Sequence, residues 1–346
     1  MKKPVVFDKY HACIEAELRA SLDASSLPLY DMLRYHLGWL DVHGRPETRH
    51  RGKLLRSTLC LSANKACGGD PGDAVPAAAA VELVHNFSLI HDDVQDGSEY
   101  RRHQPAVWKV WGVAQAITAG DTMYALAHLE IPRLSCRGVA GSRVLASAEA
   151  LGQACRSLCE GQYLDVLYER RSRVTMAEYM RMVSGKTGAL MGAAARIGAL
   201  VATEDQTLVE CLASFGEHLG IAYQVLDDMI GIWEEVGRTG KSRYEDILKR
   251  KKTLPVIYGL TQAAAPASTE LAAVYSKDEM SLEDAERVAE LLERAGARDH
   301  ASRVVEQHRK LAVQELAAAP GPAGVDELLE IVDFVLDSNL AAGSRQ

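Results

Sequence analysis

The sequence predicts an all-α protein, and three observations predict it. Apolar residues recur at three- and four-residue spacing almost throughout, alternating strand patterns of useful length are absent, and glycine and proline punctuation falls between the periodic stretches. ELRASLDASSLPLYDMLRYHLGWL near the N-terminus has the spacing of amphipathic helices, and DAERVAELLERAGARDHASRVVEQHRKLAVQEL repeats it toward the C-terminus. Helix ends are expected at Gly68-Gly69-Asp70-Pro71-Gly72, from Gly138 to Ser142, from Gly237 to Gly240, at Pro266 and at Pro320-Gly321-Pro322, leaving room for roughly ten helices or more. No stretch is long, polar or repetitive enough to be a flexible linker, so residues 1–346 read as a single domain.

Composition narrows the function. A chain of 346 residues with 47% hydrophobic content has ample material for a core. Its formal net charge of −8 argues against a nucleic-acid partner, because a surface that tracks phosphates needs a basic excess. An acidic protein can still grip phosphates if magnesium bridges the two. The seven cysteines, Cys13, Cys60, Cys67, Cys136, Cys155, Cys159 and Cys211, show neither zinc spacing nor the density of a disulfide scaffold. They read as reduced, mostly buried thiols. MKKPVVFDKYHACIEAELRA reaches acidic residues before any long apolar run, so we expect a cytoplasmic protein without stable membrane insertion.

Two segments about 135 residues apart echo each other: VELVHNFSLIHDDVQD and LGIAYQVLDDMIG are both apolar helices ending in an aspartate pair. In the first, Asp92 and Asp96 lie four residues apart, so a helix places both carboxylates on one face, while Asp93 points elsewhere. Like charges at that spacing cost helix stability, and a shared hard cation is the usual reason to keep them. A solvated acidic helix end is the plain alternative. Against it, Arg101-Arg102 follows at once, then His103-Gln104-Pro105 and Trp108. Acids for a metal and then arginines for an anion suit a metal-bound diphosphate. Asp227-Asp228 repeats the theme, with Gln224 one turn earlier, and the basic run GRTGKSRYEDILKRKKTLP follows with Lys241, Lys249, Arg250, Lys251 and Lys252. A charged surface loop would look similar, but the same order of acids and bases in both halves favours a site.

Over about residues 50 to 260 these features resemble the trans-type polyprenyl synthetase family, the farnesyl and geranylgeranyl diphosphate synthases. Gly52-Lys53-Leu54-Leu55-Arg56 resembles the family's GKxxR element, SLIHDDVQD with Arg101-Arg102 its first Asp-rich motif, and Gly161-Gln162-Tyr163-Leu164-Asp165 its GQxxD element. Lys186-Thr187-Gly188, Gln224-Val225-Leu226-Asp227-Asp228 and Thr239-Gly240-Lys241 complete the set in order.

The resemblance implies a bundle of long helices around a deep central cavity, in a homodimer, serving isoprenoid biosynthesis. It implies that Asp92, Asp96 and Asp227 ligate three magnesium ions per site, which hold an allylic diphosphate. Arg101, Lys186, Lys241 and Lys251 would clamp that group, with Thr187 and Gln224 nearby. Isopentenyl diphosphate would be held by Lys53, Arg56, His85 and Arg102. His85 could equally be a satisfied core histidine, but it lies seven residues before Asp92 on the same helical face.

Three departures stand out. Gly231 occupies the place of the third aspartate of the second motif, which predicts weaker binding of the third ion. WEEVGR replaces a Gly-Asp element, and SRYEDI carries an apparent extra residue before Asp246, which loosens the assignment of Lys251.

The implied chemistry is ionisation of the allylic diphosphate to a carbocation, attack by the double bond of isopentenyl diphosphate, and loss of a proton to the departing diphosphate. The protein then positions two anions and keeps the cation dry. Product length can be argued from helix rise. Phe87 lies five residues before Asp92, about 7 Å down the helix, and is the expected floor for the growing tail, with Ser88 leaving room beside it. An aromatic there resembles short-chain synthases, and we favour the twenty-carbon product, geranylgeranyl diphosphate, over the fifteen-carbon farnesyl diphosphate. A class I terpene cyclase would carry an Asn/Ser/Glu triad where Asp227-Asp228 stands and has no second diphosphate to hold. A non-catalytic subunit of a heteromeric synthase would have lost one aspartate cluster.

Overall fold

The computed structural model describes residues 4–47, 52–233, 244–262, 265–277, 279–318 and 325–340. These residues are helical almost throughout. The first part of the bundle comprises α1 (Val5–Leu22), α2 (Pro28–His36), α3 (Leu55–Ala66), α4 (Val75–Gln95), α5 (Val107–Trp111) and α6 (Val113–Glu130). Then come the long α7 (Gly141–Glu169), α8 (Met176–Val183), α9 (Ala189–Ala202) and α10 (Gln206–Trp233). The chain continues with α11 (Glu245–Leu248), α12 (Leu254–Thr261), α13 (Ala265–Tyr275), α14 (Leu282–Arg294), α15 (Ala297–Ala318) and α16 (Val325–Leu340). The strands are a two-residue hairpin, Tyr100–Arg101 against Gln104–Pro105.

Local chemistry sets the helix ends. Thr175 caps α8 and Ser281 caps α14, each in a reciprocal capping box, with Glu178 and Asp284 respectively. Pro28, Pro76, Pro255 and Pro266 stand in first helical turns, where a missing N–H costs nothing. The expected breaks at Gly68–Gly72 and before α7 are present. Those at Gly237–Gly240 and Pro320–Pro322 lie outside the described residues.

The core explains why α4 carries the site. It is buried around nearly its whole circumference, and the run Ala77–Ala80 lets neighbours approach closely. It packs against α6, α3 and α1, while α10 packs against α9 and α15. A smaller apolar cluster, with Tyr244, Ile247, Val256, Leu271, Val288 and Leu292, supports the segment after α10. No helix among the described residues is long and apolar enough to cross a membrane.

One expectation is corrected. All seven cysteines are free, but of them Cys60 and Cys155 are buried, whereas Cys13, Cys136 and Cys159 are exposed. Helix periodicity places these thiols on faces that composition alone does not reveal.

Candidate active site

The two aspartate-bearing helix ends converge. A cavity of about 160 Å³ is lined by Asp92 and Asp96 of α4, Asp165 of α7, Lys186, Gln224, Asp227 and Asp228 of α10, and Asp246, Lys249 and Lys251 of the following segment. Asp96 is the C-cap of α4, its amide donating to the Asp92 carbonyl. Acids at this end add to the negative pole of the helix dipole and need a counter-charge. Burial pushes the Asp92 carboxyl above its ordinary range, against the pull of Lys186. Asp96 Oδ1 is buried without a hydrogen-bond partner. A buried carboxylate oxygen with no donor fits a divalent cation. Among the described residues no three acidic, histidine or cysteine side chains form a ready-made ion cage.

Opposite the acids stands a lysine pair that Asp165 holds. Lys186 Nζ lies 2.6 Å from Asp165 Oδ2, and Lys251 Nζ lies 3.6 Å from the same oxygen and 2.8 Å from Asp96 Oδ2. Burial alone would raise the Asp165 carboxyl, but Lys186 and Lys251 overwhelm it and hold it at about 2. In return the acids keep both ammoniums charged despite burial.

Lys186 is presented by a π-helical turn, Ser184–Gly188, wedged between α8 and α9. Gly161 makes that possible. A Cβ there would stand 2.3 Å from the Lys186 backbone nitrogen, so only glycine lets α7 lie close enough for Asp165, one turn on, to reach the lysine. Thr187 donates to Gln224 Oε1 at 2.7 Å, and Gln224 donates to Asp228 Oδ1 at 3.1 Å.

The two halves of each aspartate pair have separate work. Asp93 is buried and accepts from Arg101 Nε at 3.0 Å, which pins that guanidinium at the cavity wall. Asp228 accepts from Tyr179 at 2.7 Å and from the Leu254 amide at 3.1 Å, tying α10 to α8 and to the start of α12. Burial pushes its carboxyl up to about 7 even against these donors.

Arg102, next in the chain to the cavity-lining Arg101, forms with Arg56 and His85 a second cluster of nitrogen-bearing side chains. Arg56 and Arg102 are half-buried, and burial lowers both, offset at Arg56 by Tyr223 and then Glu82 and at Arg102 by Glu82. Arg56 Nε is buried without a partner, as a site awaiting an anion would leave it. His85 is held well below the ordinary imidazole value by burial and then by Arg56 and Arg102, so at neutral pH it is uncharged. Lys53 sits differently: it is exposed, and its ammonium lies 5.8 Å from the Phe334 ring centre.

Backbone strain gathers at this site. Leu54, Arg102, His103, Tyr244 and Arg250 have positive φ without being glycine, and each is a site residue or a close chain neighbour of one. Arg102 and His103 form the tight turn of the hairpin.

Phe87 and Ser88 lie deeper on α4. The Phe87 ring is buried edge-on against Tyr124 of α6, with centroids 5.2 Å apart. Ser88 Oγ donates to the His85 carbonyl at 2.8 Å. Lys241 lies outside the described residues. In the sequence Asp165 stands inside a motif with no role assigned to it and Lys249 belongs to the basic run, while Ser98 and Asp246 carry no sign of a place at the cavity. The four-residue step from Gly161 to Asp165 was the available signal for the first. For Asp246 there was none.

The family model described as polyprenyl synthetase matches residues 39–292. A geranylgeranyl diphosphate synthase of Mycobacterium tuberculosis (strain ATCC 25618 / H37Rv) is 42% identical over 319 residues, covering 92% of this chain and 89% of its own. A (2E,6E)-farnesyl diphosphate synthase of the same strain is 39% identical over 333 residues, covering 94% and 91%. The crystal structure of a polyprenyl synthetase from Streptomyces coelicolor A3(2) superposes with a TM-score of 0.88 at 36% identity, covering 96% of this chain and 98% of the other.

Proposed function

Since the chain belongs to the polyprenyl synthetase family, we propose that it is a short-chain prenyl diphosphate synthase that adds isopentenyl diphosphate to an allylic diphosphate and yields geranylgeranyl diphosphate. The carrying observation is that Asp92, Asp96 and Asp227 line one cavity with Arg101, Lys186 and Lys251. Asp92, Asp96 and Asp227 would hold magnesium, three ions per site. Bound there, divalent ions supply charge neutralisation for a departing diphosphate.

The chain's own residues do the rest. Lys186 and Lys251, kept charged by Asp165 and Asp96, meet the diphosphate oxygens as the allylic C–O bond breaks. Arg101, pinned by Asp93, and Lys241 add to that clamp, and Thr187 and Gln224 orient each other at its edge. Arg56, Arg102, neutral His85 and Lys53 hold isopentenyl diphosphate with its double bond toward the developing carbocation. The proton lost after attack passes to the released diphosphate. Phe87, backed by Tyr124, limits the length of the tail. The pair Arg56 and Arg102 favours this reading over a cyclase, which has no second diphosphate to bind.

The protein acts as a homodimer in the cytoplasm. Val113, Ile117 and Tyr124 form an exposed apolar stripe along α6, and Leu145, Tyr163 and Leu167 are exposed on α7, a surface suited to a second copy. Free thiols throughout agree with a reducing compartment.

The test is to incubate purified protein with magnesium, isopentenyl diphosphate and each allylic starter, then weigh the products. A twenty-carbon diphosphate is expected. No elongation with any starter would overturn the assignment.

A further inference from the structure

Near its C-terminal end helix α10 carries Asp227-Asp228-Met229-Ile230-Gly231, so Gly231 sits one turn beyond Asp227 on the same face, as Asp96 sits one turn beyond Asp92. Read as sequence, that position is a missing carboxylate. In the structure a carboxylate is there, and it comes from another element. Asp246, on the single turn α11, places Oδ2 2.8 Å from where a Cβ on residue 231 would stand, and its Cγ lies 3.7 Å away. The carboxylate therefore takes up the space that the first atom of any side chain at 231 would need.

Asp246 is 8% exposed and lines the same cavity as Asp92, Asp96 and Asp227. Its backbone carbonyl accepts from the Lys251 amide at 2.8 Å, so one turn delivers both the carboxylate and a diphosphate-facing lysine. That turn is bracketed by Tyr244 and Arg250, both at positive φ, a backbone cost that the surroundings must impose.

We propose that Asp246 supplies the third carboxylate of the second aspartate cluster, entering through the gap at Gly231 to serve the same divalent-ion site as Asp227. Gly231 is then a port that admits a ligand from α11, and the weaker third ion expected from the sequence does not follow. The inference rests on the prenyl synthase reading of the cavity.

Three variants test it: Asp246→Asn, which removes the charge and keeps the shape; Gly231→Ala, whose methyl group displaces the carboxylate; and the transplant Gly231→Asp/Asp246→Gly. Alanine favours a helix over glycine, so Gly231→Ala should melt no lower than the parent and decides the matter even if Asp246→Asn folds poorly. The measurement is Mn²⁺ uptake, followed by the electron paramagnetic resonance signal of the free ion, with inorganic pyrophosphate present in place of substrate. Both single variants should weaken the last-filled Mn²⁺ site by roughly 10- to 100-fold, as loss of a carboxylate that binds or orients a metal typically does, and the transplant should restore it. Single variants that take up Mn²⁺ as the parent does would overturn the inference and leave the functional reading standing. A parent that binds no Mn²⁺ with pyrophosphate overturns both.

Discussion

Replacing Asp165 with Asn tests how the site tolerates two buried ammoniums without their shared counter-charge. Asp165 neutralises Lys186 at 2.6 Å and Lys251 at 3.6 Å, and these lysines lower its carboxyl from 3.8 to about 2. Such a drop corresponds to native-state stabilisation on the order of 2 kcal/mol. For a chain of 346 residues the unfolding entropy near the midpoint converts that to a fall of about 3 °C in Tm. The folded carboxyl lies below its unfolded value, so the contribution is fully present above about pH 4 and is lost only as pH falls through about 2. The gap between parent and variant should therefore be constant from pH 6 to 8. Magnesium and pyrophosphate should close most of it, because the bound anion takes over the neutralisation of both lysines. Differential scanning calorimetry with and without these ligands reads both effects. A gap below about 1 °C, or one that pyrophosphate leaves unchanged, refutes the idea that Asp165 holds the lysines for a diphosphate.

Three further outcomes are expected. Phe87→Ala removes the ring that packs against Tyr124 and should shift products to longer chains by mass analysis, while an unchanged distribution removes Phe87 as the floor. Arg56→Gln should raise KM for isopentenyl diphosphate by roughly 10- to 100-fold, the worth of a buried charge-assisted contact, with little change in KM for the allylic starter in steady-state assays. Ile117→Glu with Leu145→Glu places charge on the exposed apolar faces of α6 and α7 and should give a monomer by light scattering. A dimer of unchanged mass would move the interface elsewhere.

Much of this was legible in the sequence because it is short-range. Helices follow from three- and four-residue periodicity, and the pairing of Asp92 with Asp96 needs nothing beyond the helical repeat. Gly161 was visible as a motif residue, but its reason was not. It depends on the 2.3 Å approach of another helix to its missing Cβ, a distance set by packing. The roles of Asp93 and Asp228 were hidden in the same way. Adjacent residues on a helix point in different directions, and only the neighbours at Arg101, Tyr179 and Leu254 show what each one meets.

The sequence by itself determined the helical class, the two aspartate-bearing helix ends and the order of acids before bases, since all of these are written in local spacing. Tertiary structure alone decided which acid sits beside which base: that Lys251 reaches Asp96 across 155 positions, that Asp165 bridges two lysines, and that Asp246 stands in the space beside Gly231. The physical reason is that electrostatic and steric contacts depend on distance in space, and spacing along the chain fixes that distance only within a helix turn or two.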